Sequence, residues 1–366
     1  MAVRESASGA SPPPSYRNPF WGSPLKMRNV AESDEMGDKK SNAKGESPHL
    51  IAARIHAILA RESDTAIVFR RGPSNKTAIL KWDLQTDSFD LGQWFYGSFY
   101  PYRCDISPDG RHLVYFAAKY GRGSSMDEYI ESRIKAELGE ISWFHGGQYY
   151  QRMERIVNDS ATRRERERQI KTGEYSDCSW TAISRVPYLK AFSLWFNGTG
   201  WNGGGLFVGN RKVAINHAPG GSVVKMGGSR FVEVPPPKSC CDWKYKGECP
   251  MVYFPRLVRD GWKALPKDVF EKPLDGGMTL KKFFICGSPG EGHGCYWERH
   301  VICDDSGQVV VDGADWSWAD YDRPRARVVF AANGAIYSLR CKGFLAAPKK
   351  LHDFNNMKYE RIKAPY

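Results

Sequence analysis

The chain has 366 residues, 41% of them hydrophobic and 13% aromatic, with 36 Gly, 22 Pro and a formal charge of +12. That is enough apolar material for a large core, and the mixture of Gly, Pro and large rings fits many short strands joined by turns, not a helical bundle. The positive charge is dispersed, residues 225–300 and 342–366 each holding +4, which favours solubility and weak attraction to polyanions over a dedicated nucleic-acid groove.

Residues 1–47 combine Ser-Pro-Pro-Pro, mixed charges and many small polar residues, a composition that predicts a disordered leader. Its aromatic stretch Tyr16–Leu25 reads as a packing segment. No apolar run has signal-peptide character or approaches the ~18 residues of a membrane span, so a soluble, cytoplasmic protein with no membrane partner is expected. Ile51, Ile55, Ile58 and Leu59 stand at helical spacing and predict a short amphipathic helix over His49–Arg61. From Asp64 the period becomes two. Thr65–Phe69, Ala78–Trp82 and Phe89–Phe95 read as strands, with a turn at Gly72–Asn75.

Asp105–Phe116, DISPDGRHLVYF, is the most informative stretch. Ser107-Pro108-Asp109-Gly110 supplies a preset φ and a position for positive φ, and Leu113–Phe116 is strongly β-prone. It resembles the SPDG-type β-propeller repeat of Tol-system propellers and of the propeller domains of prolyl oligopeptidase relatives. The resemblance covers about a dozen residues and implies a scaffold, not an activity. Aligning Val68-Phe69 with Tyr115-Phe116 gives an offset of 47 residues, close to the ~40–45 of a four-stranded, WD-like blade.

After the opening strand the chain departs near Ala118 and returns near Ser179 with Trp180–Trp195, which holds the partner strand. The intervening residues 119–178 read as a charged helical insertion. Met126, Ile130, Ile134 and Leu138 form one stripe, and Tyr149, Met153, Ile156 and Val157 a second. Arg163–Arg168 carries two glutamates among four arginines and reads as a solvent-exposed helix.

Trp201–Val208, Val213–Asn216, Phe231–Val234 and Met251–Val258 continue the β pattern, with Gly203–Gly205 marking close backbone packing. Leu280–Cys286, Tyr296–Cys303 and Val309–Asp312 read as a meander. Asn333-Gly334 joins Val328–Phe330 to Ala335–Leu339 as a two-residue hairpin, and Val328-Val329-Phe330 echoes Val114-Tyr115-Phe116. The expected fold is all-β: a β-propeller of about five blades over residues 48–366, interrupted by the 119–178 insertion. Lys358–Ile362 is expected to pair with the first blade and close the ring.

Catalytic signatures are absent: there is no nucleophile elbow and no zinc-protease helix. The groups Cys240/Cys241/Cys249 and Cys286/Cys295/Cys303, the latter with His293 and His300, lack C-x-x-C spacing, so neither a metal nor a cofactor is expected. Asp105, Asp315, Asp320 and Asp322 sit near strand ends, where a glycosidase would need two carboxyls facing across a pocket. Trp180, Arg185, Tyr188, Trp201, Asn202, Trp316, Trp318 and Asp320 combine rings with polar groups beside turns and are the candidate ligand-binding residues. The expected function is a non-enzymatic interaction module that binds a protein or other ligand through its loop face and insertion. The alternatives are a carbohydrate-acting hydrolase and a weak nucleic-acid binder.

Overall fold

The helical spacing at Ile51–Leu59 does not become a helix. The segment is strand β1 (Arg54–Leu59), paired antiparallel with β2 (Thr65–Arg71). Ile55 and Ala57 enter one core and Ile58 another, while Ile51 stays exposed. A strand buried on both faces loses its polar alternation, so its apolar residues fall at helical spacing by coincidence.

The computed structural model describes residues 51–72, 74–119, 125–138, 151–152, 155–174, 177–197, 200, 202–217, 223–227, 230–235, 250–286, 296–341 and 347–366. The predicted leader and Trp201 lie outside them, as do Tyr149, Met153, Cys240, Cys241, Cys249, His293 and Cys295. Strands β1, β2, β3 (Lys76–Asp83) and β4 (Ser88–Tyr96) form the first sheet in sequence order. In the second sheet the first strand is broken into β5 (Ser98–Phe99) and β6 (Asp105–Ile106), both paired to β7 (His112–Ala118). β8 (Ser179–Arg185), β9 (Ala191–Phe196) and β12 (Val224–Met226) follow outward. The Ser-Pro-Asp-Gly turn joins β6 to β7 with Gly110 at φ 73° and Gly110 N–H donating to Ser107 O at 2.8 Å, the conformation its residues demand.

The third sheet is smaller: β10 (Gly205–Gly209), β11 (Lys212–Ile215) and β13 (Val232–Glu233), the last parallel to β11. A Cβ on Gly203 would run into the Phe116 ring, and one on Gly204 into the Arg103 carbonyl, so these glycines permit the close packing expected of them. The fourth sheet extends the predicted meander by two strands, in the order β14 (Lys263–Leu265), β15 (Val269–Pro273), β16 (Thr279–Cys286), β17 (Tyr296–Cys303) and β18 (Val309–Gly313). The fifth contains β19 (Trp316–Asp322), β20 (Arg327–Ala332), β21 (Ala335–Arg340) and β22 (Lys349–Asp353), with Asn333-Gly334 in the β20–β21 hairpin at φ 49° and 76°.

In the first, second and fifth sheets one strand lies deepest, β2, β7 and β20. Side chains of β2 alternate between two cores: Ile67 and Phe69 pack with Phe99, Leu113 and Tyr115 of the second sheet, and Ala66 and Val68 with Trp318, Val329 and Ala331 of the fifth. β7 repeats the pattern, with Leu113 and Tyr115 facing the first sheet and Val114 joining Phe207 and Val213 of the third. β20 does so again, with Val328 and Phe330 packed against the fourth sheet and Val329 and Ala331 against the first. The 47-residue offset therefore matches faces as well as strands. The C-terminal echo is one residue out: Tyr115 faces the preceding sheet, whereas Val329, its partner in the sequence alignment, faces the following one. A one-residue slip exchanges the two faces of a strand.

Met251–Val258 departs from its β expectation. It lies in a helix, Pro250–Arg259, whose Tyr253, Phe254 and Leu257 enter the core shared by the fourth and fifth sheets. This helix touches β10 on one side and β14 on the other, linking the third and fourth sheets. The described parts of the insertion are largely helical. Its helices α1 (Ser125–Leu138) and α2 (Ser160–Thr172) are described, so the Pro250–Arg259 helix is α3. The predicted closing strand at Lys358–Ile362 is not formed. β22 pairs with β21, and the first and fifth sheets instead join through the core containing Trp318 and Phe354. No described helix is long and apolar enough to cross a membrane.

Candidate functional site

The turns that follow the first strands of the first and fifth sheets meet the end of α3 and the end of β15. They enclose a cleft of about 610 Å³, lined by residues 59–64, 259–261, 272–273 and 320–325 and by Leu84. Its walls are charged and the charges are largely paired. Arg259 holds buried Asp105 through Nη2–Oδ1 at 2.9 Å and Asp260 through Nε–Oδ1 at 2.8 Å, and donates to Phe207 O at 2.9 Å. Lys272 meets Asp320 at 2.7 Å. Arg325 bridges Asp64 and Asp322 at 2.7 and 3.1 Å, and Arg327 behind it bridges Asp322 and Asp87.

Burial raises the Asp260 carboxyl above its ordinary value even against the opposing pull of Arg259. Burial would lower the Arg259 guanidinium, but Asp105 and Asp260 more than reverse that and hold it firmly charged. Arg61, Glu62 and Arg323 are exposed at the rim. The cleft thus offers charges of both signs to a polar ligand. Each of the four candidate acid–base carboxylates is engaged: Asp105 by Arg259, Asp320 by Lys272, Asp322 by Arg325 and Arg327, and Asp315 by the Asn333 amide at 3.5 Å.

Behind the cleft lies a polar network that sequence patterning did not single out. Lys282 on β16 and Glu298 and His300 on β17 are almost wholly buried, together with Tyr253 and Arg256 of α3 and His56 of β1. Lys282 Nζ donates to Tyr253 Oη at 2.7 Å and lies 3.4 Å from Glu298 Oε2, and the Tyr253 hydroxyl donates to Glu298. His300 Nε2 lies 3.3 Å from Glu298, and Arg256 Nη2 lies 3.1 Å from His56 Nε2. The Lys282 ammonium also sits 4.8 Å from the centre of the Trp262 ring. Burial opposes the charge on Glu298, but Lys282 and His300 outweigh it and hold the carboxyl well below its usual range. The available signal was alternation: Lys282 falls between inward Leu280 and Phe284, and it is the register partner of His300.

Burial, with Arg256 and Lys282 adding to it at His56 and Lys282 at His300, lowers both histidines from their ordinary value of 6.5 against the opposing pull of Glu298, and so favours the neutral rings. Their folded values lie below their unfolded ones, so this contribution to stability is complete above pH 6.5 and is lost as the pH falls from 6.5 through the depressed folded values. Urea denaturation between pH 7.5 and 5.5 is expected to show a loss of up to about 1.4 kcal/mol per pH unit for each histidine. Replacing either with glutamine should flatten the slope. An unchanged slope in both variants would contradict the assignment.

The sequence-predicted ligand residues do not converge. Trp316 and Trp318 are 5% and 2% exposed and belong to two inter-sheet cores, Trp316 stacked on Phe330 at 3.9 Å. They are core residues, not a lining of the mouth. Trp180 packs half-buried against Phe95. The Asn202 carbonyl accepts a hydrogen bond from the Asn197 amide at 2.9 Å. Arg185 and Tyr188 stand at the β8–β9 hairpin against Tyr366. Among the described ones, only Asp320 reaches the cleft. Among the described residues no cluster of three His, Cys, Asp or Glu side chains is placed to hold a metal; Cys303 is buried as a free thiol.

The insertion rises from the β7–β8 connection. Lys119 N–H donates to Cys178 O at 2.7 Å, and Ala118 and Ser179 are register partners, so its two ends are held together by the ladder. Arg166 of α2 is tied to buried Asp177, with Nε–Oδ1 at 2.9 Å. The glutamates are consumed locally, Glu165 and Glu174 by Arg168 and Glu167 by Lys171, while Arg163 and Arg164 point to solvent.

No protein-family model matches this chain, and no curated protein matches it. Among solved structures it is similar to an uncharacterized protein from Listeria monocytogenes, at 8% identity and a TM-score of 0.19. The match covers 82% of this chain and 62% of that one, so the chain spans less than two thirds of that protein. A likeness at that score carries no argument about fold or function.

Proposed function

We propose that the chain is a five-bladed β-propeller that serves as a non-enzymatic protein-interaction module, with the helical insertion as its docking element and the charged cleft, at the opposite ends of the strands, as a second contact surface. The propeller is supported by five sheets in near-sequential order, with β12 joining the second sheet from between β11 and β13 of the third, by cores shared between the first and second, second and third, fourth and fifth, and fifth and first sheets, and by α3 bridging the third to the fourth. One observation carries the docking role: the ladder closes beneath the insertion at Lys119–Cys178. The insertion's own apolar contacts, Ile130, Ile134 and Ile156, form a cluster separate from the four inter-sheet cores. A fixed, charged element that the cores do not need is available for recognition, and exposed Arg163 and Arg164 favour an acidic partner surface.

Replacing residues 120–177 with Asn-Gly, which suits a two-residue hairpin, removes Arg166 and Asp177 together and leaves no orphan charge. The excised protein is expected to keep its circular dichroism and melt within a few degrees of wild type, yet lose its partner in affinity capture at moderate salt. Full-length R163E/R164E should fold and show the same loss. Undiminished capture by both variants would remove the docking role.

A further inference from the structure

Residues 361–366 form no ladder, yet their exposure alternates: Ile362, Ala364 and Tyr366 are half-buried, while Arg361, Lys363 and Pro365 are exposed. This is the pattern of an extended segment laid with one face on a surface. That surface is the junction of the first and second sheets. Gln93 of β4 spans it, its Nε2 donating to Ile362 O at 2.9 Å while its Oε1 accepts from Leu189 N–H at 2.7 Å. Upstream, Tyr359 meets the Trp94 ring at 5.9 Å with Lys76 4.8 Å from its own centre.

Tyr366 ends in a formed pocket on the β8–β9 hairpin. Its hydroxyl accepts from Arg185 N–H at 3.1 Å and donates to Lys190 O at 2.7 Å, so main-chain groups satisfy the phenol in both roles. The Arg185 guanidinium lies 4.7 Å from the ring centre, the Phe192 ring 4.8 Å and the Tyr188 ring 6.2 Å. Lys190 Nζ donates to the Tyr366 main-chain oxygen. Cations near the ring and two fixed hydrogen bonds to its hydroxyl select tyrosine over other apolar residues.

We propose that this groove is a peptide-binding site for an extended segment whose inward face ends in tyrosine, and that Lys358–Tyr366 is its resident ligand in cis. It is distinct from the insertion and the cleft. An attached ligand acts at an effective concentration near millimolar, so a segment of the same chemistry on a partner gains entry once the resident one is weakened or released.

The test uses the full-length chain with Ile362 and Tyr366 both changed to serine, which removes two inward anchors, and a synthetic peptide of residues 358–366. The peptide is expected to bind this variant saturably by calorimetry and to bind wild type at least tenfold more weakly. A peptide carrying Tyr366→Phe should lose about tenfold in affinity, the worth of one to two hydrogen bonds, and Arg185→Ala in the protein should weaken the native peptide. A chain ending at Arg361 provides a second background if the double variant does not fold. Failure of the peptide to bind either background, or equal binding of the native and scrambled peptides, would overturn the proposal.

Discussion

Replacing Glu298 with alanine is expected to destabilise the protein by about 3–5 kcal/mol, the usual consequence of stranding one member of a buried ion pair. Lys282 is 1% exposed, and its partners are Glu298 and the Tyr253 hydroxyl. Without the carboxylate an ammonium would remain against the Trp262 and Tyr253 rings with its charge uncompensated, and His300 would lose its Nε2 partner. Removing both charges tests whether the pair itself or the stranded charge dominates. Lys282→Met with Glu298→Leu removes both and is expected to recover most of the loss, because the two desolvation penalties disappear with the attraction. Urea denaturation of the single and double variants measures the difference. A loss below about 1 kcal/mol in E298A would show that the network is hydrated and not sealed.

Trp316→Ala is expected to cost about 3–5 kcal/mol, the range for deleting a large ring from a packed core. The Trp316 indole is stacked on Phe330, which stacks in turn on Tyr337 at 5.3 Å, and it belongs to the same core as Leu280 and Ile302 of the fourth sheet. Its carbonyl also faces His300 Nδ1 at 3.2 Å, tying this core to the buried charges. Thermal melting should show a large drop in midpoint while the far-ultraviolet circular dichroism of the folded protein is unchanged. Trp180→Ala, at a half-buried position, should cost clearly less. Near-equal losses would mean that the two positions are packed alike.

The second strands were legible because their signal is local. Val68-Phe69 and Tyr115-Phe116 are β-prone, follow turn residues and recur at a fixed offset. The insertion was legible for the same reason: helical stripes and neighbouring-turn charge pairs are properties of a short window. Of the candidate site, Asp320 and Asp322 were legible because they stand at a strand end beside a turn. The rest of the cleft comes from residues far apart in the chain, and no local pattern brings Arg61, Arg259 and Arg325 to one surface.

Where tertiary environment governs, local pattern misled. The β1 residues carry helical spacing because burial on both faces erases the alternation of a strand. Met251–Val258 has aromatic and β-branched residues and an internal Pro255, yet α3 forms because Tyr253, Phe254 and Leu257 gain a core on one side. Trp316 and Trp318 were placed at a ligand-binding mouth, but the fourth sheet covers one and the first sheet the other.

The sequence by itself determined where most strands begin and end, which turns join them, and where a charged helical segment interrupts the order, because propensity, turn chemistry and periodicity act over a few residues. Only the tertiary structure decided which face of each strand meets a neighbour, which lysine and glutamate are sealed inside, and where the final residues lie. Those outcomes depend on surfaces that arrive from distant parts of the chain, and burial by such neighbours, more than the identity of a residue, sets whether it packs, titrates or binds.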